Sequence, residues 1–119
     1  MLLKVLENYK SPSNFENPIE LLKGDTVQLG EITDPNGEYP DWVFCTADRT
    51  KRTGWVAAGV LRMENGVGTV LQDYTSKEMA VSKDDIVTAL YELNGWYWCN
   101  RPSDGETGWI AKNNLTVAW

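Results

Sequence analysis

One stretch of this chain occurs twice, and that repetition limits the folds open to it more than any other feature. Trp42-Val43-Phe44-Cys45 is followed by Gly54-Trp55-Val56. Fifty-four residues on, Trp96-Tyr97-Trp98-Cys99 is followed at the same distance by Gly108-Trp109-Ile110. The same offset pairs Thr53 with Thr107, Ala57 with Ala111 and Leu61 with Leu115, so seven of twenty aligned positions are identical. Self-similarity at a fixed period marks a duplicated unit. Length alone would make 119 residues one domain. The duplication instead predicts two small domains, 1–62 and 67–119, joined by the short polar segment 62–66. Each lies near the lower limit at which a chain buries a self-sufficient core, and six Trp and five Tyr supply large contact surfaces for it. The linker reaches at most about 15–18 Å when extended, so the two domains are expected to touch.

Taken in order, the chain alternates short strand patterns with turns and shows no sustained helical period. Residues 4–9 read as a first strand, and the Pro- and Ser-rich 11–18 as a loop. Alternation returns at Ile19-Glu20-Leu21, Lys23-Gly24-Asp25 turns, and 26–29 form a strand. The loop 33–41 leads into the strand 42–46, a polar turn, the strand 54–57 and a short turn at Ala58-Gly59-Val60, for which a 3₁₀ turn fits. The second copy repeats this order with strands at 69–74, 86–91, 96–100 and 108–111. The offset between copies is 65 at Tyr9/Tyr74, 60 at Lys23/Lys83 and 54 from Trp42/Trp96 onward. The first copy is therefore longer by five residues in its first loop and by six in its second. Length changes confined to loops between matching strands describe a fixed framework with variable binding loops. Five short strands per copy predict an all-β fold of two small barrels or sandwiches. Val70, Met79, Val81, Ile86, Ala89, Cys99 and Ile110 are the expected core of the second.

Charge and residue inventory exclude several function classes. The net charge is −6, near −3 in each half of the sequence, and the one basic cluster is Arg49, Lys51 and Arg52 on a turn. Nucleic-acid binders and anionic-membrane binders need concentrated Lys and Arg, so neither partner is expected. There is no histidine, which removes His-based triads and metal sites. Gly66-Val67-Gly68 lacks a third glycine and a following helix, so it is no dinucleotide fingerprint. Asp84-Asp85, the one adjacent acid pair, sits on a turn open to water and reads as no catalytic pair. No enzyme, metal or cofactor is expected. Cys45 and Cys99 fall at equivalent positions of aromatic strands and read as two separate buried thiols. A short, early-charged N-terminus carries no leader pattern, so a cytoplasmic location is expected.

The second copy resembles the Src-homology-3 (SH3) domain over nearly its whole length. Val70-Leu71-Gln72-Asp73-Tyr74 is similar to that family's opening Ala-Leu-Tyr-Asp-Tyr, and Glu78-Met79-Ala80-Val81 to its Glu-Leu-Ser-Phe. Lys83-Asp84-Asp85 matches its Lys-Gly-Asp turn and Trp96-Tyr97 its paired Trp. Residues 108–115 match its Gly-Tyr-Ile-Pro-Ser-Asn-Tyr-Val. Through the internal alignment the first copy follows, so the chain resembles a bacterial-type tandem SH3 protein. The resemblance implies two tandem five-stranded SH3-like barrels and a non-catalytic role in binding a peptide or protein partner. It makes Tyr74 and Trp96, with Tyr9 and Trp42 in the first copy, the groove aromatics. Glu78, and Glu16 or Glu20 in the first copy, become the acids that pair with a basic flank of the ligand. Trp98, in alternation with Trp96, extends the aromatic strip, as Phe44 does beside Trp42, whereas Trp109 and Trp55 read as packing residues. Three groove positions depart from the family: Gln72 (Glu7 in the first copy), Ala111 (Ala57) and Asn114 (Val60). Losing two aromatic walls and a proline argues against proline-rich ligands, which are held between flat aromatic faces. Two other readings stay open. One is a module for cell-wall or small ligands, as SH3-like repeats also serve. The other is a structural element whose tryptophans, Trp119 among them, are buried between the barrels.

Overall fold

The computed structural model describes residues 1–10 and 17–118. Among these there is no α-helix. The chain runs as β1 (Leu2–Val5), β2 (Glu20–Leu21), β3 (Thr26–Ile32), β4 (Trp42–Ala47), β5 (Thr53–Ala57) and β6 (Leu61–Glu64). It continues as β7 (Val67–Val70), β8 (Tyr74–Thr75), β9 (Ile86–Leu93), β10 (Trp96–Arg101), β11 (Glu106–Ala111) and β12 (Leu115–Val117). The 3₁₀ turns Ala58–Val60 and Lys112–Asn114 precede β6 and β12. Period-two alternation sets the faces: Val43, Cys45 and Ala47 of β4 point inward and are fully or nearly fully buried.

Two compact units emerge, and neither is a contiguous half of the chain. Unit 1 combines Met1–Phe15 with Lys77–Trp119, and unit 2 is Glu16–Ser76. Unit 1 holds a five-stranded antiparallel sheet in the order β11-β10-β9-β1-β12. Unit 2 holds the matching sheet, β5-β4-β3-β7-β6, and the two-stranded ladder β2-β8. The first strand of each copy thus completes the sheet of the other. The registers match: Leu3 faces Val87 and Val117, while Gly68 faces Val27 and Met63. These units differ from the segments 1–62 and 67–119 that the duplication predicts.

A local cause of the exchange lies in the supposed linker. Strand β6 runs to Glu64, and only Asn65 and Gly66 connect it to β7. Both have positive φ, 52° and 78°, the geometry of a two-residue hairpin whose twist matches its strands. Such a turn lays β7 directly against β6 (Leu61 opposite Val70, Glu64 opposite Val67), so β7 takes the place of a first strand in unit 2. The corresponding place in unit 1 is taken by β1. Its backbone is held from both sides, Val5 donating to Asp85 O and Leu6 to Asn114 O, each at 2.9 Å. Tyr9 and Val81 exchange two further bonds of 2.9 Å.

The cores follow this assignment. In unit 1, Leu3, Val5, Met79, Val81, Val87, Cys99 and Ile110 cluster, with Ala89, Tyr97 and Leu115 against them. Two residues of the expected core are displaced. Val70 is buried in unit 2, because its strand belongs there. Ile86 points outward at 38 % exposure, because β9 alternation turns Val87 inward instead. Burying Leu3 and Val5 contributes about 1.5–3 kcal/mol each. Cys45 and Cys99 are free, buried thiols in the cores of different units. Burial pushes each thiol up to about 11, so neither is a nucleophile near neutral pH.

Candidate functional site

In unit 1 a second two-residue turn, Asn94-Gly95 with φ of 50° and 85°, closes the β9–β10 hairpin. It fixes the register so that Trp96 faces Leu93 and Trp98 faces Tyr91. Across β10–β11, Trp98 faces Trp109 and Trp96 faces Ala111. Alternation therefore gathers Tyr91, Trp96, Trp98 and Trp109 on the sheet face opposite Tyr97 and Ile110, which pack on the core. Trp109 lies at the centre, edge-on to Trp98 at 5.3 Å and to Tyr91 at 5.5 Å between ring centroids. Edge-to-face pairs of this kind add about 0.5–1.5 kcal/mol beyond their area. Trp109 is buried, Trp96 and Trp98 are half-buried and Tyr91 is exposed. The centre of the cluster is thus framework and its rim is contact surface. Partial desolvation holds the Tyr91 hydroxyl above its ordinary pKa.

The acidic end of this face is built by residues from both copies. Glu78 forms a bridge beside Trp109, while Trp109 N–H donates to Lys77 O at 3.0 Å and Met79 N–H to Trp109 O at 3.1 Å. The Tyr9 hydroxyl donates to Glu78 Oε2 at 2.9 Å. Glycine is required at 108 for this approach, since a Cβ there would stand 2.8 Å from Met79 N. Lys112 lies over the Tyr97 ring at 5.9 Å and against Glu92 at 3.4 Å.

Unit 2 repeats the framework with a different border. Phe44 is edge-on to Trp55 at 5.3 Å, Trp42 faces Ala57, and Tyr74 O–H donates to Trp55 O at 3.0 Å. The tight turn of unit 1 is replaced by the loop 33–41. Its base is clamped where Thr33 N–H donates to Trp42 O at 2.9 Å and Trp42 N–H to Thr33 Oγ1 at 3.0 Å. Asp34, Glu38 and Asp41 on this loop, and Glu31 before it, are exposed, as are Tyr39 (63 %) and Ile32 (59 %).

The residues expected at the site are therefore re-sorted. Tyr9 joins Glu78, Trp96 and Trp98 in unit 1 rather than Trp42, and Tyr74 joins Trp42 in unit 2 rather than Trp96. Tyr74 is a buried framework residue at 8 % exposure, with its hydroxyl on the backbone. Glu16 and Trp119 lie outside the described residues, and Glu20 is exposed on β2. Among the groove positions that depart from the SH3 pattern, Asn114 is bound to Glu7: its Oδ1 accepts from Glu7 N and its Nδ2 donates to Glu7 O, both at 3.0 Å. Val60 is buried in unit 2. Neither supplies a ring wall. Sequence reasoning passed over Tyr91, although an Asn-Gly turn counted outward puts it opposite Trp98.

Residues 67–117 match the variant SH3 domain family. The matched segment starts on β7 in unit 2 and continues from Lys77 in unit 1, so the contiguous family pattern is shared between the two units. No curated protein and no solved structure matches the chain.

Proposed function

We propose that this chain is a non-catalytic interaction protein of two SH3-like barrels, each binding an extended segment of a peptide or protein partner. The observation that carries this reading is the outer face of unit 1. There Trp96, Trp98 and Tyr91 rim a buried Trp109, with the Tyr9–Glu78 pair at one end. Rigid aromatic rings offer large contact area at low entropy cost, and a carboxylate beside them favours a basic residue in the ligand. The match to a family of interaction modules supports the same class. Proline-rich ligands fit poorly, because Asn114 and Val60 are committed elsewhere. Two free thiols accord with a reducing compartment, and we place the protein in the cytoplasm.

The test is selection from a displayed library of extended peptides, followed by titration of the selected ligand against Trp96→Ala, Trp98→Ala and Trp42→Ala. Each substitution in the unit that binds should weaken affinity by about tenfold or more. Unchanged affinity in all three, with circular dichroism confirming the fold, would remove the aromatic faces from the binding site.

A further inference from the structure

We propose that the slot between β9 and β12 is a strand-recognition site selective for the N-terminal segment, and that it rejects the homologous internal strand β7 by side-chain size. The register makes the comparison position by position. Leu3 and Gly68 occupy the same place in their two sheets, as do Val5 and Val70. Val87 and Val27 are equivalent acceptors, and Leu115 and Leu61 are too. One further acceptor position differs. Ala89 of β9 and Leu29 of β3 each face the buried cysteine of their sheet, Cys99 and Cys45. Each also donates its N–H to the residue before the donor strand, Ala89 to Met1 O at 3.0 Å and Leu29 to Gly66 O at 2.9 Å.

The differences compensate. In unit 1 a large donor residue, Leu3 at 5 % exposure, shares the core with a small acceptor, Ala89. In unit 2 the donor is glycine and the acceptor is leucine. A Cβ at 68 would stand 3.1 Å from Leu29 Cδ2 and 2.9 Å from Val27 Cγ2, so Leu29 reaches into space that a donor side chain would need. Diagonal neighbours on one face of an antiparallel pair are within reach of long side chains. With each first strand in its own copy, Leu3 would meet Leu29, and Gly68 would leave a void beside Ala89. One arrangement is overpacked and the other hollow, and both are unfavourable in a close-packed interior. The exchanged arrangement gives one large and one small residue to each core. This selection acts together with the Asn65-Gly66 turn, which lays β7 against β6.

Two experiments on the full chain test the proposal. In the first, cysteine pairs report which strands are neighbours. Lys4→Cys with Thr116→Cys, register partners in unit 1, should form an intramolecular disulfide under mild oxidation. Lys4→Cys with Arg62→Cys should not, since Arg62 is partnered by Thr69. The reverse pattern would overturn the exchange. In the second, size is varied. Gly68→Leu should lower the melting temperature by about 10 °C, and adding Leu29→Ala should restore at least half of that loss. Adding Ala89→Gly should restore none. Gly68→Ala is the milder variant should Gly68→Leu not fold, and the same rescue is expected. Strictly additive effects of the 68 and 29 substitutions, or rescue through 89, would overturn the size code.

Discussion

The two units share a framework and differ at their borders. Unit 1 turns from β9 to β10 in two residues, and the charges it contains nearly cancel, seven acids against six bases. Unit 2 uses the long loop 33–41 at the same place and carries ten acids against five bases. Cut at the sequence repeat, each half is near −3. Assigned by compact unit, the charges become −1 and −5. The exchange brings Lys4, Glu7 and Lys10 into unit 1 and Asp73 into unit 2, and so leaves unit 1 nearly neutral and unit 2 acidic. Duplication supplied two equal frameworks, and loop length together with strand assignment made them chemically different.

The largest expected effect breaks one unit and spares the other. Val5→Asp would bury an unpaired carboxylate at a position with no exposure, at a cost of about 3 kcal/mol or more. Hydrogen exchange should speed up at Val87 and Cys99 and stay slow at Val27 and Cys45. Protection lost at Val27 instead would place β1 in the other sheet.

Glycine substitutions probe the return strand in each unit. Gly108→Ala meets the Met79 backbone nitrogen at 2.8 Å, whereas Gly54→Ala meets the Ile19 Cγ2 methyl at 2.8 Å. Backbone yields less easily than a side-chain methyl. Gly108→Ala should therefore cost about 1–3 kcal/mol and Gly54→Ala less, measured by urea unfolding.

Arginine clamps differ in the same sense. Arg101 binds Asp85, Asp104 and Ala80 O at 3.1, 2.8 and 3.0 Å, with its side chain 17 % exposed. In unit 2, Arg49 binds Asp25 at 3.2 Å and is 49 % exposed. Arg101→Ala should cost about 1–2 kcal/mol and Arg49→Ala about 0.5 kcal/mol or less.

The smallest effect is on pH dependence. The Leu22 backbone N–H, aided by Arg49, holds Asp25 below the ordinary carboxylate range, and Arg101 does the same for Asp104. A lowered folded pKa contributes stability above the unfolded value, lost as pH falls through the folded one. Melting temperature should therefore drop below about pH 4, and Asp25→Asn and Asp104→Asn should each flatten that drop. An unchanged acid limb in both would remove these carboxylates from the account.

Much of this was legible in the residues. Alternation at 42–46 and 96–100 gave the strands, and the placement of Cys45 and Cys99 gave two buried thiols. The pairing of Leu61 with Leu115 survives as equivalent positions at the starts of β6 and β12. The Asn65-Gly66 pair is also a turn signal, and the structure makes it a tight hairpin where the sequence repeat predicts a linker. Strand assignment was less accessible, because the two first strands align with each other and either could complete either sheet by pattern alone. The aromatic rim was half visible: Trp96 and Trp98 by alternation, Tyr91 only once the turn set its register.

By itself the sequence determined the local elements, since turn chemistry and period-two patterning act between neighbours along the chain. Only the tertiary structure decided which copy of the first strand enters which sheet. That choice depends on whether Leu3 meets Ala89 or Leu29, and on whether Gly68 leaves a void or fills none. Such contacts join residues some twenty to ninety positions apart, and their fit appears only when the side chains share one core.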